Sequence, residues 1–278
     1  MNTATLQQKP KTSRPADWYS ELMRRQPTMA RAGVGAAVLA IPSALLGLLD
    51  HRQVLGINTW IKPTKFFLSM SIYILTIAWA FAFLSPERRG RRAARYVVVV
   101  TIAAAVLEQT FVTVRAALGQ RSHFNIGTPL DAAWYNVMAV GAVLLVSTAV
   151  VMSVMVWRSK ILSGSRRFAW SAGLFLAGTL GGFTGGVMGG GRNHFVGDAT
   201  SDTMGIPLLG WSRSVGDLRI AHFTALHSMF VLPLVGWLVH RRWGDTKTAS
   251  TITFVACLVW IALVLGTFAN ALTGRPLL

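Results

Sequence analysis

Cysteine is almost missing from this chain, and acids are scarce. The single Cys257 lies inside an apolar run. That excludes a disulfide framework within the chain and a CxxC metal pair, and Cys257 reads as a small packed hydrophobe. Asp and Glu number 10 against 27 Lys and Arg. Charged residues of both signs make up only 13% of the chain, about half of the ~25% usual in soluble proteins. No linker or soluble-looking block divides the 278 residues. No run alternates apolar and polar positions as a membrane barrel strand does. A cleavable leader is not expected, because the leading polar region is long and no small-residue cleavage site follows it.

What is present is a series of apolar runs of roughly 20 residues, the length that crosses ~30 Å of hydrocarbon. Seven helical spans are predicted near residues 32–49, 66–84, 96–118, 132–157, 168–189, 220–239 and 251–271. The expected fold is an all-α polytopic transmembrane helical bundle over 31–278, preceded by a basic arm over 1–30. Within that arm, 17–25 places Trp18, Tyr19, Leu22 and Met23 so that they can lie in the membrane interface.

The net charge of +17 does not indicate a nucleic-acid partner, because the cations cluster between apolar runs and so report topology. Lys9, Lys11, Arg14, Arg24, Arg25 and Arg31 precede the first span. Arg88, Arg89, Arg91, Arg92 and Arg95 follow the second, Arg158, Lys160, Arg166 and Arg167 the fourth, and Arg241, Arg242 and Lys247 the sixth. The positive-inside rule makes that side cytoplasmic. The N-terminus is then inside and the C-terminus outside, in a bacterial cytoplasmic (inner) membrane. His51, His123, His194, His222 and His227 fall on the other side or in the membrane near it.

The longest polar interval is Gly190 to His227. Its start, GGRNHF, matches GQRSHF at 119–124, and a G-x-P-L pattern occurs at 127–130, 205–208 and 274–277. Each copy follows an odd-numbered span. This suggests two-helix units in parallel repeat plus a seventh helix, although turn-forming Gly and Pro alone can produce similar rims.

Glu108 is the most informative residue, since a carboxylate in mid-span needs an interior partner. Thr101, Glu108 and Arg115 fall within about 40° of one another around the helix. Arg115 lies about 10 Å further along at ~1.5 Å per residue, too far to pair with Glu108. The partner must then come from another helix or from water, and His227 at similar depth is the expected contact. Glu108 reads either as a proton or ligand site or as a structural pair. Lys65 shares a face with Ser69 and Thr76 and either snorkels or binds ligand. Asp217 and Arg219 lead into the sixth span.

His222 and His227 are five residues apart, about 140° around a helix, unlike the i,i+4 pair of a helical zinc site. The seventh span has no lysine for a retinal. A metal or haem held by His123, His194, His222 and His227 remains an alternative. In span five, Gly178, Gly182, Gly186 and Gly190 form one small-residue ridge, and Gly181, Gly185 and Gly189 a second.

The expected function is binding of a small ligand or ion in an outward-facing polar pocket, for proton-linked transport or sensing. Glu108, His227, Arg115, Lys65, Arg219 and His222 form its core, with Arg121, His123, Arg192, His194 and Asp217 on the outer rim. The alternatives are a metal- or haem-dependent membrane enzyme, hydrolase or oxidoreductase, and a structural or accessory subunit.

Overall fold

The computed structural model describes residues 15–162, 164–198, 205, 206 and 209–277. Much of the basic arm, including Lys9, Lys11 and Arg14, lies outside the described residues, as do Asp202 and half of the G-x-P-L copy at 205–208.

Among the described residues, seven helices are long and apolar enough to cross a membrane. A short helix α1 (Pro15–Arg25) leads into α2 (Pro27–Leu49) and α3 (Ile61–Ala80), which runs on through a 3-10 turn at Phe81–Phe83. A single turn, α4 (Pro86–Arg89), precedes α5 (Arg92–Ala117), α6 (Pro129–Ser159), α7 (Gly164–Gly191), α8 (Leu218–Trp243) and α9 (Lys247–Leu272). Most helices begin three to five residues before the predicted spans. Hydropathy marks only the hydrocarbon-crossing part, whereas the helix continues into the interface until a cap satisfies its end. Pro27 and Pro129 stand in first turns, and Thr128, Asp217 and Thr246 accept bonds from backbone N–H groups as N-caps.

The pairs α2–α3, α5–α6 and α7–α8 each pack along their length; α6 also packs on α7 and α9 on α8, and α3 reaches α5 and α6. Two short antiparallel ladders join the loops at one end. Gln53–Val54 pairs with Ile57–Asn58, and Phe195–Val196 with Gly216–Asp217. In the first, Leu55 and Gly56 both have positive φ (55° and 81°), the geometry of a two-residue hairpin turn matched to strand twist. The G-x-P-L copies are not equivalent: 127–130 caps the start of α6, whereas 274–277 follows the end of α9.

The main apolar core is off centre. Met29, Ile77, Phe81, Val97, Met152 and Leu174 belong to one buried cluster, drawn from the halves of the helices nearest the arginine-rich loops, here called the basic end. The buried charged residues Glu108 and Asp217 lie in the halves nearest the opposite, histidine end.

The two glycine ridges of α7 separate by partner. A Cβ on Gly178 or Gly182 would meet Val146 of α6; one on Gly181 or Gly185 would meet Leu226 or His222 of α8. Gly186 and Gly190 have open space, so the first ridge packs over only half of its length.

Candidate functional site

The stripe on α5 faces α6. Thr101 Oγ1 donates to Thr148 Oγ1 at 3.1 Å, and Thr148 is also within 3.0 Å of the Tyr73 hydroxyl. Arg115 donates to Asp131 Oδ1 at 2.5 Å, with both side chains largely buried. Midway between, Glu108 lies 3% exposed opposite Gly141, where an added Cβ would sit 2.9 Å from Glu108 Oε1. Among the described residues Oε1 has no hydrogen-bond partner. The antiparallel register therefore pairs the two outer members of the stripe and leaves the middle carboxyl in a slot kept open by a glycine.

No hydrogen bond or ion pair joins Glu108 to His227, contrary to expectation. His227 Nδ1 is 2.7 Å from the Phe223 carbonyl of its own helix, and its ring stacks on Phe223 with centroids 3.7 Å apart. Similar depth did not bring them together, because α8 packs mainly on α7 and α9 while α5 packs on α6 and α3. Next to Glu108, Gln109 stands at the level of Lys62 and Pro63 near the start of α3. Its amide donates to the Pro63 carbonyl at 3.3 Å, which fixes this level of α5 against α3.

Lys62 Nζ lies 3.2 Å from His123 Nδ1. His123 and Phe124 are neighbours in one copy of the G-x-R-[SN]-H-F motif, His194 and Phe195 in the other. The copies meet: the Phe124 and His194 rings are 6.1 Å apart, and the field of His194 reaches His123. Phe66 packs edge-on against His123 at 5.8 Å, and Tyr135 lies tilted against Phe124 at 5.9 Å. The Tyr135 hydroxyl ties this wall to α7 through the Gly189 carbonyl at 2.9 Å. The match in letters is not a match in backbone, since the first copy starts two residues after α5 ends and the second one residue before α7 ends. What they share is a His-Phe pair delivered to one place.

Burial, then the Lys62 ammonium and His194, hold the His123 imidazole well below its ordinary range. A histidine with a depressed pKa is neutral in the fold and protonates more readily once unfolded. Its contribution is complete above the ordinary value of ~6.5 and declines as pH falls below it. The apparent melting temperature of the purified protein is expected to drop between about pH 6.5 and 5, with part of that drop missing in His123→Gln. Parallel curves for the two proteins would remove His123 from this role.

The other expected residues have separate duties. Lys65 Nζ reaches the Leu209 carbonyl at 3.3 Å and so holds the long loop, while Ser69 on the same face is exposed. Arg219 makes a fork to Asp217 and donates to the Gly210 carbonyl. Asp217 also accepts from Ser212 N–H at 2.9 Å. His222 Nδ1 lies 3.0 Å from the Gly181 carbonyl and 3.1 Å from Thr184 Oγ1, filling the glycine ridge. Arg121 and Arg192 are exposed on the rim. A four-histidine metal set is not assembled: among the described residues no three His, Cys, Asp or Glu side chains converge so as to hold a metal ion.

Among the described residues, each loop between helices at this end carries an Arg–Asp clamp: Arg52–Asp50, Arg115–Asp131 and Arg219–Asp217. Arg52 and the Trp60 indole hold the Asp50 carboxyl below the usual carboxylate range. The D-x-R spacing of Asp50–Arg52 and Asp217–Arg219 is visible in the sequence. Lys62 and Tyr135 had no comparable signal, because a cation and an aromatic at a span end read first as interfacial anchors.

The class defined by these features is a multi-pass membrane protein of seven helices with a polar cluster at one end. No family model, curated protein or solved structure matches the chain.

Proposed function

We propose that the histidine end binds a small anionic or protonatable solute, and that the protein transports or senses it across a bacterial cytoplasmic membrane. The observation that carries this reading is the convergence of Lys62, His123 and His194, from three separate segments, with the buried Glu108 next to Gln109, whose amide reaches the Pro63 carbonyl one residue from Lys62. Lys62 supplies positive charge to an anion, the imidazole nitrogens donate or accept according to protonation, and Glu108 is a buried acid on the adjoining turn of α5. The Lys and Arg distribution supports a pocket facing outward. For the metal- or haem-enzyme reading, no group of three converging donors is found among the described residues. A purely structural role leaves the slot opposite Gly141 unexplained.

The test uses the protein in liposomes carrying an internal pH dye, challenged with acetate, lactate, phosphate or chloride. One solute class is expected to give saturable internal pH change or, for a sensor, saturable thermal stabilisation of the purified protein. Lys62→Met is expected to abolish it. No response to any of the four in either assay overturns the proposal.

A further inference from the structure

We propose that a groove at the basic end is a specific site for one anionic phospholipid. The groove, about 690 Å³, lies between α3 and α8 and is closed at the basic end by α1 and the start of α7. Its walls carry Trp79 and Leu75 from α3, Trp237 and Phe230 from α8, Trp18 from α1 and Trp170 from α7. Along α3 it runs from Trp79 to Ile72, seven residues or about 10 Å at ~1.5 Å rise. That is a slot for the upper part of an acyl chain, entered from the side.

The basic mouth selects the headgroup. Arg25 and Arg166 both line the groove. Arg25 is held in place by Glu21 at 2.7 Å and by the face of Trp79, 4.0 Å from its guanidinium carbon. Arg166 makes no such contact: its Nε is buried with no hydrogen-bond partner among the described residues. A buried guanidinium N–H left without an acceptor costs free energy, and a phosphodiester oxygen is the acceptor that suits a guanidinium fork. Leu22 of α1 is anchored in the main core, so the mouth is built by a fixed strap. An anionic lipid satisfies both parts of the groove, one chain along the tryptophans and the phosphate at Arg166. A zwitterionic lipid brings its own cation to a mouth that already carries two.

Four of the ten tryptophans line the groove, which provides the readout. Lipids with brominated acyl chains quench tryptophans they touch. In delipidated protein in detergent, brominated phosphatidylglycerol at low mole fraction is expected to quench a saturable share of the emission, ahead of brominated phosphatidylcholine. Arg166→Gln is expected to shift the half-quenching concentration roughly tenfold or more, the scale of one lost charge-assisted hydrogen bond. Thr76→Phe, which fills the slot and leaves the charges, is expected to remove the saturable phase. Arg24→Gln, on an exposed neighbour, is expected to leave it unchanged. Equal quenching by the two lipids, or displacement of the lipid by soluble glycerol phosphate at matched concentration, overturns the proposal.

Discussion

Glu108→Gln is expected to make the protein more stable and to abolish its solute-dependent response. An ionised carboxylate buried in mid-span costs more than a neutral polar group in the same place, and the wild-type fold carries that cost. Glutamine keeps the shape, so the slot opposite Gly141 stays filled and no cavity forms. Relief of the desolvation penalty is on the order of 1–3 kcal/mol, read as a rise in thermal or denaturant midpoint in detergent. Stability gained where activity is lost is the behaviour of residues retained for function. The opposite pattern, a variant destabilised by the same amount with its response intact, would show that Glu108 is a structural acid and would remove the centre of the proposed pocket.

A second large effect is expected at Gly173, where α7 and α8 meet. A Cβ built there lies 2.6 Å from the Ser228 carbonyl oxygen and 3.0 Å from Pro233 Cδ. Ser228 in turn donates its hydroxyl to the Gly173 carbonyl at 2.8 Å. Backbone and a proline ring cannot swing aside as a flexible side chain can, so Gly173→Ala must push the helices apart. Overpacking of this kind costs about 1–3 kcal/mol, and Gly173→Val more. Gly186→Ala on the same helix has nothing within 4 Å and serves as the control. Comparing the two variants for yield of folded protein and melting temperature checks this. Equal behaviour would mean that the α7–α8 contact is looser than described.

Much of the architecture was legible because hydrocarbon imposes a length and a polarity that single residues cannot evade. All seven spans were recoverable from apolar runs; the Trp18, Tyr19, Leu22 and Met23 pattern pointed to an interfacial segment, whereas Leu22 is buried in the core and Met23 packs against it. Glu108 stood out for the same reason, as a charge where charge is expensive. The partners were not legible. Helical phase places Thr101, Glu108 and Arg115 on one face, but phase does not say which helix that face meets. Depth suggested His227, whereas neighbourhood in the bundle decided for α6. The two His-Phe copies pointed to a shared rim, and the rings do meet there. The G-x-P-L copies pointed to a shared unit and serve as different caps and tails. Lys62 needed three segments brought together before it meant anything.

The two ends of the α5 stripe have a consequence for the middle. Thr101–Thr148 and Arg115–Asp131 act as rivets 14 residues apart, or about 21 Å of helix at ~1.5 Å per residue. A plank fixed at both ends cannot slide to relieve a misfit at its centre. A bulkier residue at position 141 would therefore press on the Glu108 carboxyl and the Leu107 side chain, a dial on this acid with little leverage elsewhere in the bundle.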